Sequence, residues 1–98
     1  MMKKLNAQEL TLHIAVNLGR LGRFALEGKE ARLKQFLDET DEFRKQLQEE
    51  PKAPNFQKTF DFFNETFIRL KSDVRLDSDW AEESFTWANI LTHRAKLA

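Results

Sequence analysis

Hydrophobic residues recur along this chain at steps of three and four, which is the spacing of an α-helix rather than of a strand. The clearest run alternates steps of four and three through Phe56, Phe60, Phe63, Phe67, Leu70 and Val74. A stripe this narrow predicts a helix that lies on the outside of a bundle and packs through one face. Four segments with helical spacing are predicted, at about 6–26, 29–49, 55–73 and 79–96.

The first segment is apolar around most of its circumference, so we expect it to contact more than one neighbour and to be the best-buried helix. One of its flanks consists of Leu12, Val16 and Leu26, and its narrow polar arc consists of Glu9, His13, Asn17 and Arg20. Asn6 and Glu9 have the spacing of a capping box. Gly28 stands where a left-handed C-terminal cap is expected.

The remaining helix ends are predicted from prolines and acidic residues. Pro51 and Pro54 cannot continue the second helix, Asn55 is the expected N-cap of the third, and Asp79 with Glu82 is expected to cap the fourth. Short connections favour antiparallel neighbours. The sequence therefore predicts one domain over 1–98, an all-α, antiparallel up-down four-helix bundle. A three-helix core with one helix exchanged into a dimer is the alternative.

Composition narrows the classes of protein to which the chain can belong. Its 41% hydrophobic and 33% charged residues argue against both a disordered tail and a membrane span. The absence of cysteine removes disulfides, thiolate metal sites and a cysteine nucleophile. The start Met1-Met2-Lys3-Lys4 leads into polar residues rather than the apolar stretch of an export signal, so we expect a cytoplasmic protein and no membrane partner.

Charge is balanced over the whole chain but is segregated along it. The 16 Lys+Arg equal the 16 Asp+Glu, which argues against a general nucleic-acid binder. A basic stretch nevertheless crosses the first turn at Arg20, Arg23, Lys29, Arg32 and Lys34. It could dock an acidic surface or a nucleic-acid backbone, or be ordinary surface charge. Because no aromatic residues are interleaved for base stacking, nucleic acid is the weaker expectation.

Small residues line one strip of the first helix, at Ala15, Gly19 and Gly22. Each glycine inside a helix lowers its stability by about 1 kcal/mol relative to alanine, so two glycines in one helix require a structural or functional explanation. Three interpretations are open. The strip packs against a ridge of alanines on the fourth helix (Ala81, Ala88 and Ala95), the helix kinks or ends near Gly22, or the strip is a groove for a ligand or a partner's helix.

Candidate catalytic and metal chemistry is sparse. Asp38, Glu39, Asp41 and Glu42 form an acidic cluster that could hold Mg²⁺ or Ca²⁺, but helical spacing places them largely on an exposed face. His13 and His93 lie on an exposed arc and near a helix end, and neither has a Glu three residues before it. We therefore predict no catalytic, cofactor or metal residues, and a non-enzymatic protein.

Apolar residues outside the core stripes are the positive signal for partner contact. Phe62 falls in a polar neighbourhood and is the best candidate for an anchor in a partner's pocket. The predicted partner contacts are Phe62, Ile68, Arg69, Ile90, Arg20 and Arg23. The expected function is protein–protein interaction, as a regulatory or accessory subunit and a homodimer. The alternatives are a nucleic-acid-associated regulator that uses the basic stretch, and a metal-binding bundle.

Overall fold

The computed structural model describes residues 4–98, so Met1, Met2 and Lys3, used above in the argument about an export signal, lie outside it. Within residues 4–98 the regular structure is entirely helical: α1 (Ala7–Glu27), α2 (Glu30–Glu49), α3 (Pro54–Ser72), α4 (Ser78–Arg94) and a closing 3₁₀ turn (Ala95–Leu97). The predicted all-α four-helix bundle is confirmed.

Each helix runs antiparallel to its neighbours, because early residues of one contact late residues of the next. In α1 and α2, His13 stacks on Phe43 while Phe24 meets Phe36. The same reversal joins α3 to α4, where Arg69 meets Glu83 and Arg94 meets Thr59. α1 lies against both α2 and α4, which is the two-sided packing expected from its apolar circumference.

The ends of α1 are set by its own sequence. The Asn6 side chain accepts from the Glu9 N–H at 2.8 Å, and the Glu9 carboxylate accepts from the Asn6 N–H at 3.1 Å, which confirms the capping box. Gly28 ends the helix with φ 70°, a left-handed backbone conformation that residues other than glycine rarely adopt. The helix is continuous to Glu27, so the interpretation that it ends near Gly22 is wrong.

Two predicted N-caps are each wrong by two residues. Pro54 occupies the first turn of α3, where its missing N–H costs nothing, so Ala53 rather than Asn55 stands at the N-cap. In α4 the capping side chain is Asp77, which accepts from the Trp80 N–H at 2.9 Å, and Asp79 lies inside the first turn. The three-residue spacing from cap to N–H is the same in both registers, so sequence spacing alone could not choose between them.

Lys52 closes the C-terminal end of α2. Its ammonium donates to the carbonyl oxygens of Leu47, Gln48 and Glu50 at 2.6, 3.2 and 2.8 Å, and it lies 4.7 Å from the centre of the Phe60 ring. Burial lowers the pKa of Lys52. The side chain thus satisfies carbonyls that a glycine cap satisfies elsewhere, and it ties the end of α2 to α3.

The contact between α1 and α4 is made by small residues. Ala15 and Gly22 of α1, Ala81 of α4 and Ala95 of the closing turn are buried, and Ser84 donates from its hydroxyl to the Leu18 carbonyl at 2.7 Å. The strip faces α4 at Gly22, but the side chain that lies against it there is Phe85 rather than one of the alanines; the packing of Ala15 against the alanine ridge stays a prediction. Gly19 differs, because no atom of another element lies within 4 Å of the position of an added Cβ.

α3 packs through its aromatic seam, as predicted. Five of the six seam residues are buried in the helix: Phe56, Phe60, Phe63, Phe67 and Leu70. Val74 lies beyond the helix end and is half-buried. The α3 backbone stands further from its neighbours than α1 stands from α4. The Trp80 indole N–H donates to the Leu70 carbonyl at 3.1 Å and links the end of α3 to the start of α4.

One flank of α1 and two polar residues differ from expectation. Leu12, Val16 and Leu26, part of the apolar circumference of the best-buried helix, are 40%, 54% and 56% exposed. Asn17 was expected on an exposed arc but is buried, because α2 covers that side of α1. Asp41, expected on the exposed face of α2, is also buried.

Candidate functional site

A cleft between α3 and α4 collects the strongest of the predicted contact residues. This α3–α4 cleft has a volume of about 300 Å³ and is lined by Lys58, Thr59, Phe62, Trp87, Ile90 and Arg94. Phe62 and Ile90, singled out separately in the sequence, are thus brought together. Trp87 was not predicted as part of a surface, because its spacing placed it with the core of α4.

Phe62 stands at the edge of the α3–α4 cleft with 67% of its surface exposed. It falls outside the buried seam of α3 by helical geometry, so its ring is directed to the α4 side rather than inward. Trp87 is fixed from beneath by Phe63, at 5.7 Å between ring centroids. The cleft therefore combines the protruding ring of Phe62 with the apolar surface of Trp87, which packs on Phe63.

The charged residues beside Phe62 are not committed to partners within the chain. Lys58 and Glu65 lie four residues before and three residues after Phe62, and both are exposed. Among residues 4–98, neither forms an ion pair within 4.0 Å. Arg94 donates to the Thr59 hydroxyl at 3.1 Å and has no carboxylate partner in the same range. Along α3, the exposed Phe62 ring is thus flanked by the positive charge of Lys58 and the negative charge of Glu65.

The other two predicted contacts on α3 lie apart from the cleft. Ile68 is 54% exposed on the opposite edge of α3, beside Lys71 and facing α2. Arg69 forms a two-point ion pair with Glu83 of α4, with one N–O distance of 3.1 Å, and this pairing raises the pKa of Arg69. Arg69 is therefore engaged within the chain, and Ile68 does not share a surface with Phe62.

A second surface, the basic groove, lies between the C-terminal half of α1 and the N-terminal half of α2. Its volume is about 450 Å³, and it is lined by Arg20, Arg23, Phe24, Glu27, Lys29, Arg32 and Phe36. The basic stretch is thus gathered around two aromatic rings. The expectation that no aromatic residue is interleaved with it is wrong, because Phe24 lies within the stretch and Phe36 lies two residues beyond it. The signal was present, because Arg20 and Phe24, like Arg32 and Phe36, are four residues apart.

The arginines of the basic groove lie against the aromatic rings. The Arg20 guanidinium carbon lies 5.5 Å from the centre of the Phe36 ring, and that of Arg32 lies 5.3 Å from the Phe24 centre. Arg20 also donates to the buried Asn17 carbonyl oxygen at 3.2 Å, while the Asn17 amide donates to Glu39 at 3.2 Å. The burial of Asn17 is explained by this pair of hydrogen bonds.

The acidic cluster of α2 is divided by the fold. Asp41 accepts from Lys71 at 2.7 Å and from Arg44 at 2.8 Å. Burial raises the pKa of Asp41, but the hydrogen bonds from these two cations outweigh burial and hold the pKa below its ordinary value. Asp38 and Glu42 stay exposed. Among residues 4–98, no three Asp, Glu or His side chains are placed to hold a metal ion.

The two histidines lie in separate surroundings. His13 is exposed and stacks on Phe43 with 5.2 Å between ring centroids. His93 is exposed near the end of α4. In the part of the chain that the structure describes, neither imidazole is hydrogen-bonded to a carboxylate or hydroxyl, the arrangement expected of a general acid or base.

Comparison with known protein families, curated proteins and solved structures found no match for the chain. Each helix within residues 4–98 is too short or too polar to cross a lipid bilayer. The α3–α4 cleft and the basic groove are the two candidate functional surfaces.

Proposed function

We propose that the protein acts through protein–protein contact as a homodimer, and that the α3–α4 cleft is the contact surface. The observation that carries the proposal is the 67% exposure of Phe62 beside a cleft of about 300 Å³ floored by Trp87 and Ile90. Aromatic side chains that insert into such pockets supply much of the binding energy at interfaces. In this role the chain is a regulatory or accessory subunit of the cytoplasm rather than an enzyme.

A second copy suits this surface because the surface carries both a protruding side chain, Phe62, and a cleft that could receive the Phe62 of another copy. A two-fold axis near Phe62 would insert each ring into the other copy's cleft, so that one patch serves both subunits. With two α3 helices antiparallel about that axis, Lys58 of one copy comes opposite Glu65 of the other. Both side chains are exposed and have no ion-pair partner within the described chain. The charges are therefore complementary as well as the shapes.

Sedimentation equilibrium of the full chain tests the proposal. The unaltered protein is expected to self-associate, and Phe62→Ser is expected to weaken self-association by at least about tenfold, the effect of losing one buried aromatic anchor. Ile68→Ser is the matched control, since Ile68 is a similarly exposed apolar residue on the other edge of the same helix. It is expected to leave self-association unchanged.

Charge reversal separates this dimer from non-specific association. Lys58→Glu and Glu65→Lys are each expected to weaken self-association, because each places like charges opposite one another. The double variant restores opposite charges and is expected to recover the affinity. A strict monomer at the highest attainable concentration would overturn the proposal, as would equal losses in Phe62→Ser and Ile68→Ser.

A further inference from the structure

The basic groove gathers positive charge that the chain does not neutralise. Four cationic side chains line it, against the single carboxylate of Glu27. Glu27 approaches Lys29 at 3.7 Å. Within the described residues, Arg20, Arg23 and Arg32 have no carboxylate inside 4.0 Å. Like charges held in one hollow repel one another, and an anion that enters the hollow relieves that repulsion.

We infer that the basic groove is a binding site for a phosphate-bearing ligand. Arginine suits this chemistry better than lysine, because its planar guanidinium offers paired N–H donors that match two oxygens of a phosphate. Three of the four cations are arginines, and they come from two different helices. A phosphate in the groove would therefore bridge α1 and α2.

The aromatic rings hold two of these arginines in place before any ligand arrives. Arg20 lies over Phe36, and Arg32 lies over Phe24 at 5.3 Å and near Phe36 at 6.0 Å. A guanidinium attracted to the face of a ring keeps N–H groups that can donate to an anion. Less side-chain freedom remains to be lost when a ligand is bound.

Asn17 fixes Arg20 without cancelling its charge. It is buried, and its carbonyl oxygen accepts from Arg20 while its amide group donates to Glu39, each at 3.2 Å. A carboxylate in the position of Asn17 would position Arg20 equally well but would neutralise it. A neutral side chain that links Arg20 to α2 keeps the guanidinium available to an anion, so Asn17 is a positioning residue of the site.

The volume of the groove limits the ligand. About 450 Å³ lies within the range of small-molecule sites, roughly 300 to 1,000 Å³. Inorganic phosphate, a free nucleotide and the backbone of a single nucleic-acid strand share the phosphate chemistry that the arginines recognise. The experiment is arranged to distinguish among these sources.

An NMR titration of the full chain with sodium pyrophosphate, at ionic strength held constant with sodium chloride, tests the site. Saturable shifts are expected in Arg20, Arg23 and Arg32, with a Kd below about 10 mM. Arg32→Gln is expected to weaken binding by about tenfold, the loss of one charge-assisted contact. Arg75→Gln is the matched control, since Arg75 is exposed outside the groove and pairs with Asp73 at 3.0 Å. It is expected to bind like the unaltered protein.

Asn17→Ala adds a test that does not change the charge of the groove. It is expected to weaken pyrophosphate binding, and to broaden the Arg20 side-chain signal, because Arg20 loses its anchor. Thermal melts of each variant confirm that the protein is folded before titration. No saturation below about 10 mM pyrophosphate would overturn the inference, and so would an equal loss of affinity in Arg32→Gln and Arg75→Gln.

Parallel titrations with inorganic phosphate, AMP and a short single-stranded oligonucleotide identify the source of the phosphate. Tighter binding of AMP than of phosphate assigns a free nucleotide. Tighter binding of the oligonucleotide, with a steep loss on adding salt, assigns a nucleic-acid strand. Equal affinity per phosphate assigns the anion itself. In each case the shifts are expected in the same three arginines, and shifts confined to other residues would contradict the inference.

Discussion

The α1–α4 contact and the α3 seam both pack helices together, but the first uses small side chains and the second uses large aromatic ones. In the first, the backbones of α1 and α4 approach closely, with small buried residues such as Gly22 and Ala81, and the Ser84 hydroxyl donates across the contact to the Leu18 carbonyl at 2.7 Å. In the second, four phenylalanines fill a wider gap between α3 and its neighbours. Close approach leaves no room for an added atom, whereas the aromatic seam depends on volume that must not be removed.

Long polar side chains compensate for the distance of α3 at its edges. On the α2 side, Lys71 of α3 reaches Asp41 and Arg44 of α2 reaches Asn64, and on the α4 side Arg69 reaches Glu83. No such ion pair joins α1 to α4 in the part of the chain that the structure describes. The two regions should therefore respond differently to substitution and to pH.

The largest effect is expected in the aromatic seam. Phe63 is fully buried and lies 5.6 Å from Phe67 and 5.7 Å from Trp87 between ring centroids. Phe63→Ala should lower the free energy of unfolding by about 3–5 kcal/mol, because the cavity it leaves cannot fully collapse. Urea denaturation measures the loss. A loss below about 1 kcal/mol would show that α3 moves inward to close the gap, and that the seam is not a rigid spacer.

The polar edge of α3 is tested by Asp41→Asn. The substitution should cost about 1–2 kcal/mol at neutral pH, the value of charged hydrogen bonds discounted for the partial exposure of Lys71. The pKa of Asp41 is lowered in the folded state, so this stabilisation is complete above the pKa of the unfolded chain and is lost as the pH falls through the lowered value. Denaturation at several pH values should show the difference from the unaltered protein shrinking in acid.

The close contact of α1 with α4 is tested by one methyl group. A Cβ at position 22 would lie 2.6 Å from Cζ of Phe85, so the ring must move. Gly22→Ala should lower stability by about 1 kcal/mol, since overpacking outweighs the better helix propensity of alanine. Adding Phe85→Leu should recover most of the loss in a double-mutant cycle. Additive effects would mean that the ring is not the obstacle.

The same substitution at Gly19 should have the opposite sign. Nothing from another element lies within 4 Å of the added Cβ there, so Gly19→Ala should raise stability by about 0.5–1 kcal/mol through helix propensity alone. Thermal and urea denaturation of the two alanine variants side by side make the comparison direct. A loss of stability at position 19 would contradict the assignment of the close contact to Gly22 alone.

The smallest effect is expected at Phe62, which belongs to α3 but not to its seam. Phe62→Ser should change the free energy of unfolding by no more than about 0.5 kcal/mol, because the ring is 67% exposed. The measurement is made at a protein concentration low enough to hold the chain as a monomer. A loss of several kcal/mol would place Phe62 among the structural rings of α3.

Features set by local chemistry were predictable from the sequence. The seam of α3 follows from spacing alone, and the ends of α1 follow from the Asn6–Glu9 pair and from Gly28. Asn17 and Asp41 were placed wrongly, because their burial depends on partners 22 and 30 residues away, Glu39 and Lys71. Helical spacing tells which residues share a face, but not which neighbour covers that face.

The candidate surfaces were predictable only in part for the same reason. Phe62 was identified because it falls outside a regular stripe, which one helix alone reveals. The floor that Trp87 and Ile90 provide depends on how α4 lies beside α3. The rings beneath the basic groove depend likewise on how α2 lies beside α1. The exposure of a residue can be predicted from the pattern of one helix, whereas a cleft depends on how two helices pack together.

The most extensive backbone contact between helices within residues 4–98 joins α1 to α4, and this has a consequence for synthesis. Translation adds about 5–20 residues per second, so roughly 3 to 13 s separate the completion of α1 at Glu27 from that of α4 at Arg94. During that interval the buried small-residue face of α1 has no mate. The α1–α4 contact therefore cannot form until α4 has been synthesised, whereas both helices of the α1–α2 contact are available much earlier.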